Sequence, residues 1–124
     1  MTEEEKRLLA SDPDGLKTYD YIANHIDDTD LDADFLANNM IAVDATGQFV
    51  VSAARYLHAI DPARFADAIR RLIAAAIDKD REHRYIGDLL QSIWGDDYAS
   101  RVDILNATDD NFRRIYKRLF PKGL

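Results

Sequence analysis

The chain has 124 residues, 47% of them apolar, and carries a formal net charge of −7. That length fits one domain burying roughly two thirds of the surface its unfolded chain exposes, and the apolar share is too high for a disordered chain. There is no cysteine, which excludes disulfides, thiolate metal sites and thiol nucleophiles.

The first ten residues, MTEEEKRLLA, lack the basic start and apolar run of a signal peptide. A short helix over Glu3 to Ala10 is expected, with Glu3, Glu4 and Glu5 favourable in its first turn; residues 1–11 form a separate short helix or fray. Asp12-Pro13 supplies a cap and a first-turn proline, so the next helix is expected to begin near Pro13 or Asp14. Leu16, Tyr19, Ile22, Ala23 and Ile26 give it a helical stripe.

The stretch DDTDLDAD, Asp27 to Asp34, holds five aspartates in eight positions. As a calcium loop starting at Asp28 it has Ala33 where a glycine turn is needed and Asn39 where a bidentate Glu belongs. As helix punctuation it makes better sense. Asp32 is then the N-cap, Asp34 meets the positive helix end, and Leu31 and Leu36 form a hydrophobic staple. Asp27 and Asp28 exceed what capping requires, and mark an acidic surface for a cation or a basic partner.

Phe35, Leu36, Asn39, Met40 and Val43 form the stripe of that helix. Thr46 is expected to cap the following one, carried by Phe49, Val50, Ala53, Tyr56, Leu57 and Ile60, although Gly47 weakens its start. Asp61-Pro62 repeats the cap-plus-proline signal before Phe65, Ile69, Leu72, Ile73, Ala76 and Ile77. The likeness of the two Asp-Pro starts does not extend into a sequence repeat. Residues 78–84, DKDREHR, read as a turn or as the solvated face of a continuing helix.

Tyr85 to Trp94 gives another stripe, ended by Gly95. Tyr98, Val102 and Leu105 suggest a shorter helix, and Thr108 or Asp109 caps a last one running to about Leu119 before Pro121. No segment alternates with period two between hairpin turns. The expected fold is all-α: a single domain over 1–124, of six or seven short helices in an irregular orthogonal or bundle-like packing.

Chemical signals are thin. His25, His58 and His83 fall in no metal-binding helical pair. Ser11, Ser52, Ser92 and Ser100 lie in no nucleophile turn, and Thr46-Gly47-Gln48 lacks the second glycine and the lysine of a phosphate loop. Asp96-Asp97 read more simply as a helix start than as paired acid/base carboxylates. No catalytic residue, cofactor site or metal site is assigned.

The last helix places Arg113, Arg114, Lys117 and Arg118 opposite Phe112, Ile115, Tyr116, Leu119 and Phe120. The favoured reading packs its apolar arc on the core and leaves the basic arc solvated or near the acidic N-terminal third. Residues 1–44 carry twelve Asp/Glu against three Lys/Arg, and residues 45–124 eleven against thirteen. That split could organise assembly, and it argues against general DNA binding, which needs a broad basic footprint.

The expectation is a cytoplasmic protein without a transmembrane segment that acts, without catalysis, through protein–protein contact, most simply with itself. One alternative is a nucleic-acid-associated regulator using the basic face of the last helix. Another is a metal-dependent enzyme or cation binder built from clustered aspartates.

Overall fold

The structure, a computed structural model, describes residues 1–122. Among them are eight α-helices, one 3₁₀ turn and no strand: α1 Glu3–Ala10, α2 Leu16–Asn24, α3 Ala33–Val43, α4 Gln48–Ile60, α5 Ala66–Lys79, α6 Gly87–Trp94, α7 Val102–Thr108 and α8 Asp110–Leu119, with the 3₁₀ turn Tyr98–Arg101 before α7. The all-α expectation holds. The count of six or seven falls one or two short of these eight.

Several starts fall later than the cap-and-proline signals suggest. The helix expected at Pro13 or Asp14 begins at Leu16, and the one expected after Asp61-Pro62 begins at Ala66. At the second site residues 62–65 form turns instead, with Asp61 Oδ1 accepting from Arg64 N. Residues 80–86 separate α5 from α6 as a turn, which decides between the two readings of DKDREHR. The acidic run behaves as punctuation: Asp32 Oδ1 accepts from Phe35 N at 3.0 Å and opens α3. Asp109 likewise accepts from Phe112 N and opens α8.

Three turns share one construction. Each begins with a buried aspartate directly after, or two residues after, a helix: Asp12, Asp44 and Asp80. Three residues on, the backbone enters the left-handed region, at Gly15 (φ +113°), Gly47 (φ +93°) and His83 (φ +56°). In all three, Oδ2 of the aspartate accepts the N–H six residues on, from Thr18, Val50 and Ile86 at 2.8–2.9 Å. The carboxylate thus holds three or four backbone N–H groups of the turn and of the approach to the next helix, where an ordinary N-cap side chain holds one. The residue donating that sixth N–H is fully buried each time. The aspartates lie 32 and 36 residues apart, so the likeness read as ending with the Asp-Pro starts recurs in three dimensions at different residues.

The turns run side by side. A Cβ on Gly47 would stand 3.1 Å from the Asp80 Cβ, and one on Gly15 would stand 2.9 Å from the Phe49 Cβ. Odd-numbered helices touch in the order α1–α3–α5 and even-numbered ones in the order α2–α4–α6–α8. The two rows meet most extensively between α4 and α5, where Ala53, Ala54, Ala68 and Ala76 are buried and small side chains allow close approach. Leu57, Ile69, Leu72 and Ile73 fill the same core, each contributing about 1.5–3 kcal/mol by leaving water. Asn39 is the polar member of its stripe for a reason. Its Nδ2 donates to Leu9 O and to Thr18 Oγ1, tying α1 and α2 to α3.

Candidate binding cleft

A cleft of about 730 Å³ opens where the odd row ends. There α5 packs against α8, while α7 packs chiefly on α8 and the 3₁₀ turn. The space left between α5, the end of α6 and the α7–α8 turn has Ile69, Ile73, Ile93 and Trp94 as its largest apolar residues, with Arg70 and Arg114 among its polar ones. Helical spacing explains the α5 contribution. Ile69 and Ile73, one turn apart, face inward, and Arg70 and Ala74 follow one residue later toward the opening.

Trp94, the only tryptophan, is fixed by two contacts. Its ring meets Phe112 edge-on at 5.2 Å, and its Nε1 donates to Asp109 Oδ2 at 2.8 Å. Phe112 in turn stacks on Tyr116, which leans on Phe120, so an aromatic cluster backs the wall. Asn111 Nδ2 donates to Arg70 O at 3.1 Å and joins the start of α8 to α5.

Three arginines line the cleft. Arg71 is the most engaged, with Nε on Asp67, Nη1 on Asn38 and Nη2 on Asp34 at 2.9 Å. Arg114 Nη2 meets Asp78 at 2.9 Å, and Arg70 Nη2 meets Asp67. The acids of the lining are occupied: Asp109 by Phe112 N and Trp94 Nε1, and Asp110 by Arg113. The cleft therefore combines a rigid apolar and aromatic wall with guanidinium groups.

The residues singled out in the sequence do not come together as a catalytic or metal site. Among the described residues no group of three or more His, Asp and Glu side chains converges as metal ligands would. The acidic run meets arginines of its own chain: Asp34 pairs with Arg71, and Asp28 O accepts from Arg64 Nη2 at 2.7 Å. His25 stacks on Tyr21 with its Nδ1 2.9 Å from Tyr21 O, His58 lines the cleft, and His83 is exposed in its turn. Asp96 accepts from Gln91 and Asp97 pairs with Arg101, so the two carboxylates serve separate partners. Each of the four serine hydroxyls donates to a nearby backbone carbonyl.

On α8 the apolar arc does turn inward, with Phe112 and Ile115 fully buried. The basic arc is partly engaged: Arg113 pairs with Asp110, and Arg114 with Asp78 of α5 rather than with the acidic N-terminal third. Sequence reasoning took Asp12 as an ordinary cap and passed over Asp44 and Asp80, so the buried trio went unseen. The pattern Asp-x-x-Gly stood in plain sight at 12–15 and 44–47; His83 in the glycine place hid the third.

Burial by itself pushes the Asp12 carboxyl upward. The Thr18 hydroxyl and the N–H groups of Gly15, Thr18 and Asp14 outweigh it, and its pKa is lowered to about 2. Tyr21 is moved upward, first by burial and then by the nearby Glu5 and Asp28 carboxylates.

No helix among the described residues is long and apolar enough to cross a membrane. Comparison with family models, curated proteins and solved structures finds no match.

Proposed function

We propose that the chain is a binding module, built from helix–turn–helix units stacked in two rows, that engages a protein partner through the cleft beside Trp94. The observation that carries this reading is the wall itself. An aromatic side chain pinned by Phe112 and Asp109 borders a groove with isoleucines and arginines. Concave apolar sites with a few convergent polar groups are where ligands bind, and tryptophan and arginine are the residues that dominate binding energy at protein interfaces. Stacked helical units supply the stiff, extended surfaces that repeat proteins use for this purpose.

The test blocks the cleft without touching the core. Peptides selected against the protein from a random display library should bind the wild type and lose at least about tenfold in affinity for Ala66→Tyr, a change at an exposed cleft residue. Selected peptides that all bind Ala66→Tyr unchanged would reject the cleft as the binding surface.

Self-association is favoured by a separate surface. Between α2 and α4, Tyr19 and Tyr56 lie 6.0 Å apart and line a second groove. Leu16 shares the Tyr19 side of α2, Ile60 shares the Tyr56 side of α4, and each of these two is 48% exposed. A stripe of this kind is what a second copy would cover.

A further inference from the structure

We infer that the α2–α4 face joins two copies of the chain about a two-fold axis running along its seam, with Asp20 of each copy against Arg55 of the other. This rests on the self-association reading above and adds the symmetry of the contact and the residues that select it. The charges flanking the seam are ones the fold leaves unused. Arg55 is exposed on α4, and its Nε donates to the neutral hydroxyl of Ser92 on α6 at 2.9 Å. Asp20 is exposed on α2. Among the described residues neither lies within ion-pair distance of an opposite charge, whereas Arg70, Arg71, Arg113 and Arg114 each have an aspartate of their own chain.

The two groups also stand at one height. The Tyr19 and Tyr56 rings, 6.0 Å apart across the seam, set the two helices level. Asp20 follows Tyr19 and Arg55 precedes Tyr56, so each lies about 1.5 Å from that level and is turned about 100° from its tyrosine. Arg55 turns toward α6, where it meets Ser92, and Asp20 turns away from the buried Thr18 and Ile22. The seam thus has an anion on one flank and a cation on the other. A two-fold axis in the plane of the face and along the seam exchanges the flanks and keeps the height. It sets Asp20 against Arg55 of the second copy, twice, and lays Leu16, Tyr19, Tyr56 and Ile60 on their own image. Closing that stripe removes water from beside the pairs, which strengthens them over pairs on an open surface. Lys17, a turn before Asp20, and Asp88, a turn before Ser92, are likewise exposed and of opposite sign. These four charges cancel, so in a chain of net charge −7 this patch does not repel its own image.

Charge reversal tests the pairing, with the full chain in sedimentation equilibrium. Wild type should form a reversible dimer that weakens with added salt. Arg55→Glu sets two carboxylates together at each contact and Asp20→Lys sets two cations together, so each alone should weaken the dimer at least about tenfold. An equimolar mixture of the two variants restores opposite charges at both contacts and should recover wild-type affinity as a heterodimer. The double variant Asp20→Lys/Arg55→Glu should recover it as a homodimer. Far-UV circular dichroism confirms that each variant is folded. Wild-type dimers that both single variants leave unchanged, or weakened variants that neither mixing nor the double variant rescues, would overturn the Asp20–Arg55 pairing; loss of the same dimers in Ile60→Lys would then keep the face as the interface. A wild-type chain that stays monomeric would overturn the self-association reading itself.

Discussion

At the scale of single residues, the informative side chains are carboxylates that water does not reach. Burying an ion is costly unless hydrogen bonds replace its hydration, and Asp12 is repaid by four, from three N–H groups and one hydroxyl. Those bonds favour the ionised form, which is why its pKa is lowered to about 2, against roughly 3.9 for an unperturbed aspartate. Between these values the folded chain binds fewer protons than the unfolded one. The stabilisation is therefore complete above about pH 5 and lost as pH falls through 2, and it amounts to about 2.5 kcal/mol. Asp12→Asn should cost about that much at pH 7, and the gap between variant and wild type should close on acidification. Urea denaturation of both proteins at pH 7, 4 and 2.5 checks it; a gap independent of pH would sink the account.

At the scale of elements, the turn is the unit that recurs. Its third position must be left-handed, which glycine adopts freely and other residues adopt at a cost. Gly47 also sits against the Asp80 backbone, with 3.3 Å from a built Cβ to Asp80 N. Gly47→Ala should therefore destabilise by about 1–3 kcal/mol. His83 occupies the same place in the third turn with φ +56° and is exposed. His83→Gly should be neutral or stabilising by up to about 1 kcal/mol. Thermal denaturation of the two variants side by side checks the pair. Destabilisation by His83→Gly as large as that by Gly47→Ala would mean the three turns are not equivalent. The helices themselves were largely legible, since stripes such as Phe35–Met40 and Phe65–Ile77 have the helical period and lie in or beside the core. The starts of α2, α4 and α5 were not, because Asp12 and Asp44 cap from farther upstream than a standard N-cap, and Asp61-Pro62 opens a turn that precedes α5.

At the scale of the whole molecule, the asymmetry of charge is partly resolved within the fold. Arg64 and Arg71, on the α5 side, reach the acidic segment 26–34 through Ile26 O, Asp28 O and Asp34. Much of the remaining acidity stays on the surface and is free to shape association. If the α2–α4 stripe joins two copies, sedimentation should show a concentration-dependent dimer, and Ile60→Lys should return it to monomer with its circular dichroism unchanged. A strict monomer at high concentration would remove self-association from consideration.

The sequence by itself determined the all-helical class, the stripes that form the core, the cap at Asp32 and the glycine end after Trp94, and it narrowed the cap of the last helix to Thr108 or Asp109. These are local properties, set by side-chain period and by donors within a turn of the chain. Only the tertiary structure decided that Asp12, Asp44 and Asp80 are buried equivalents, that Arg64 and Arg71 answer the acidic run, and that Ile69, Trp94 and Arg114 border one cleft. Each of these depends on residues far apart in the chain meeting across packed helices, and no local period or cap encodes which distant helix a face will find.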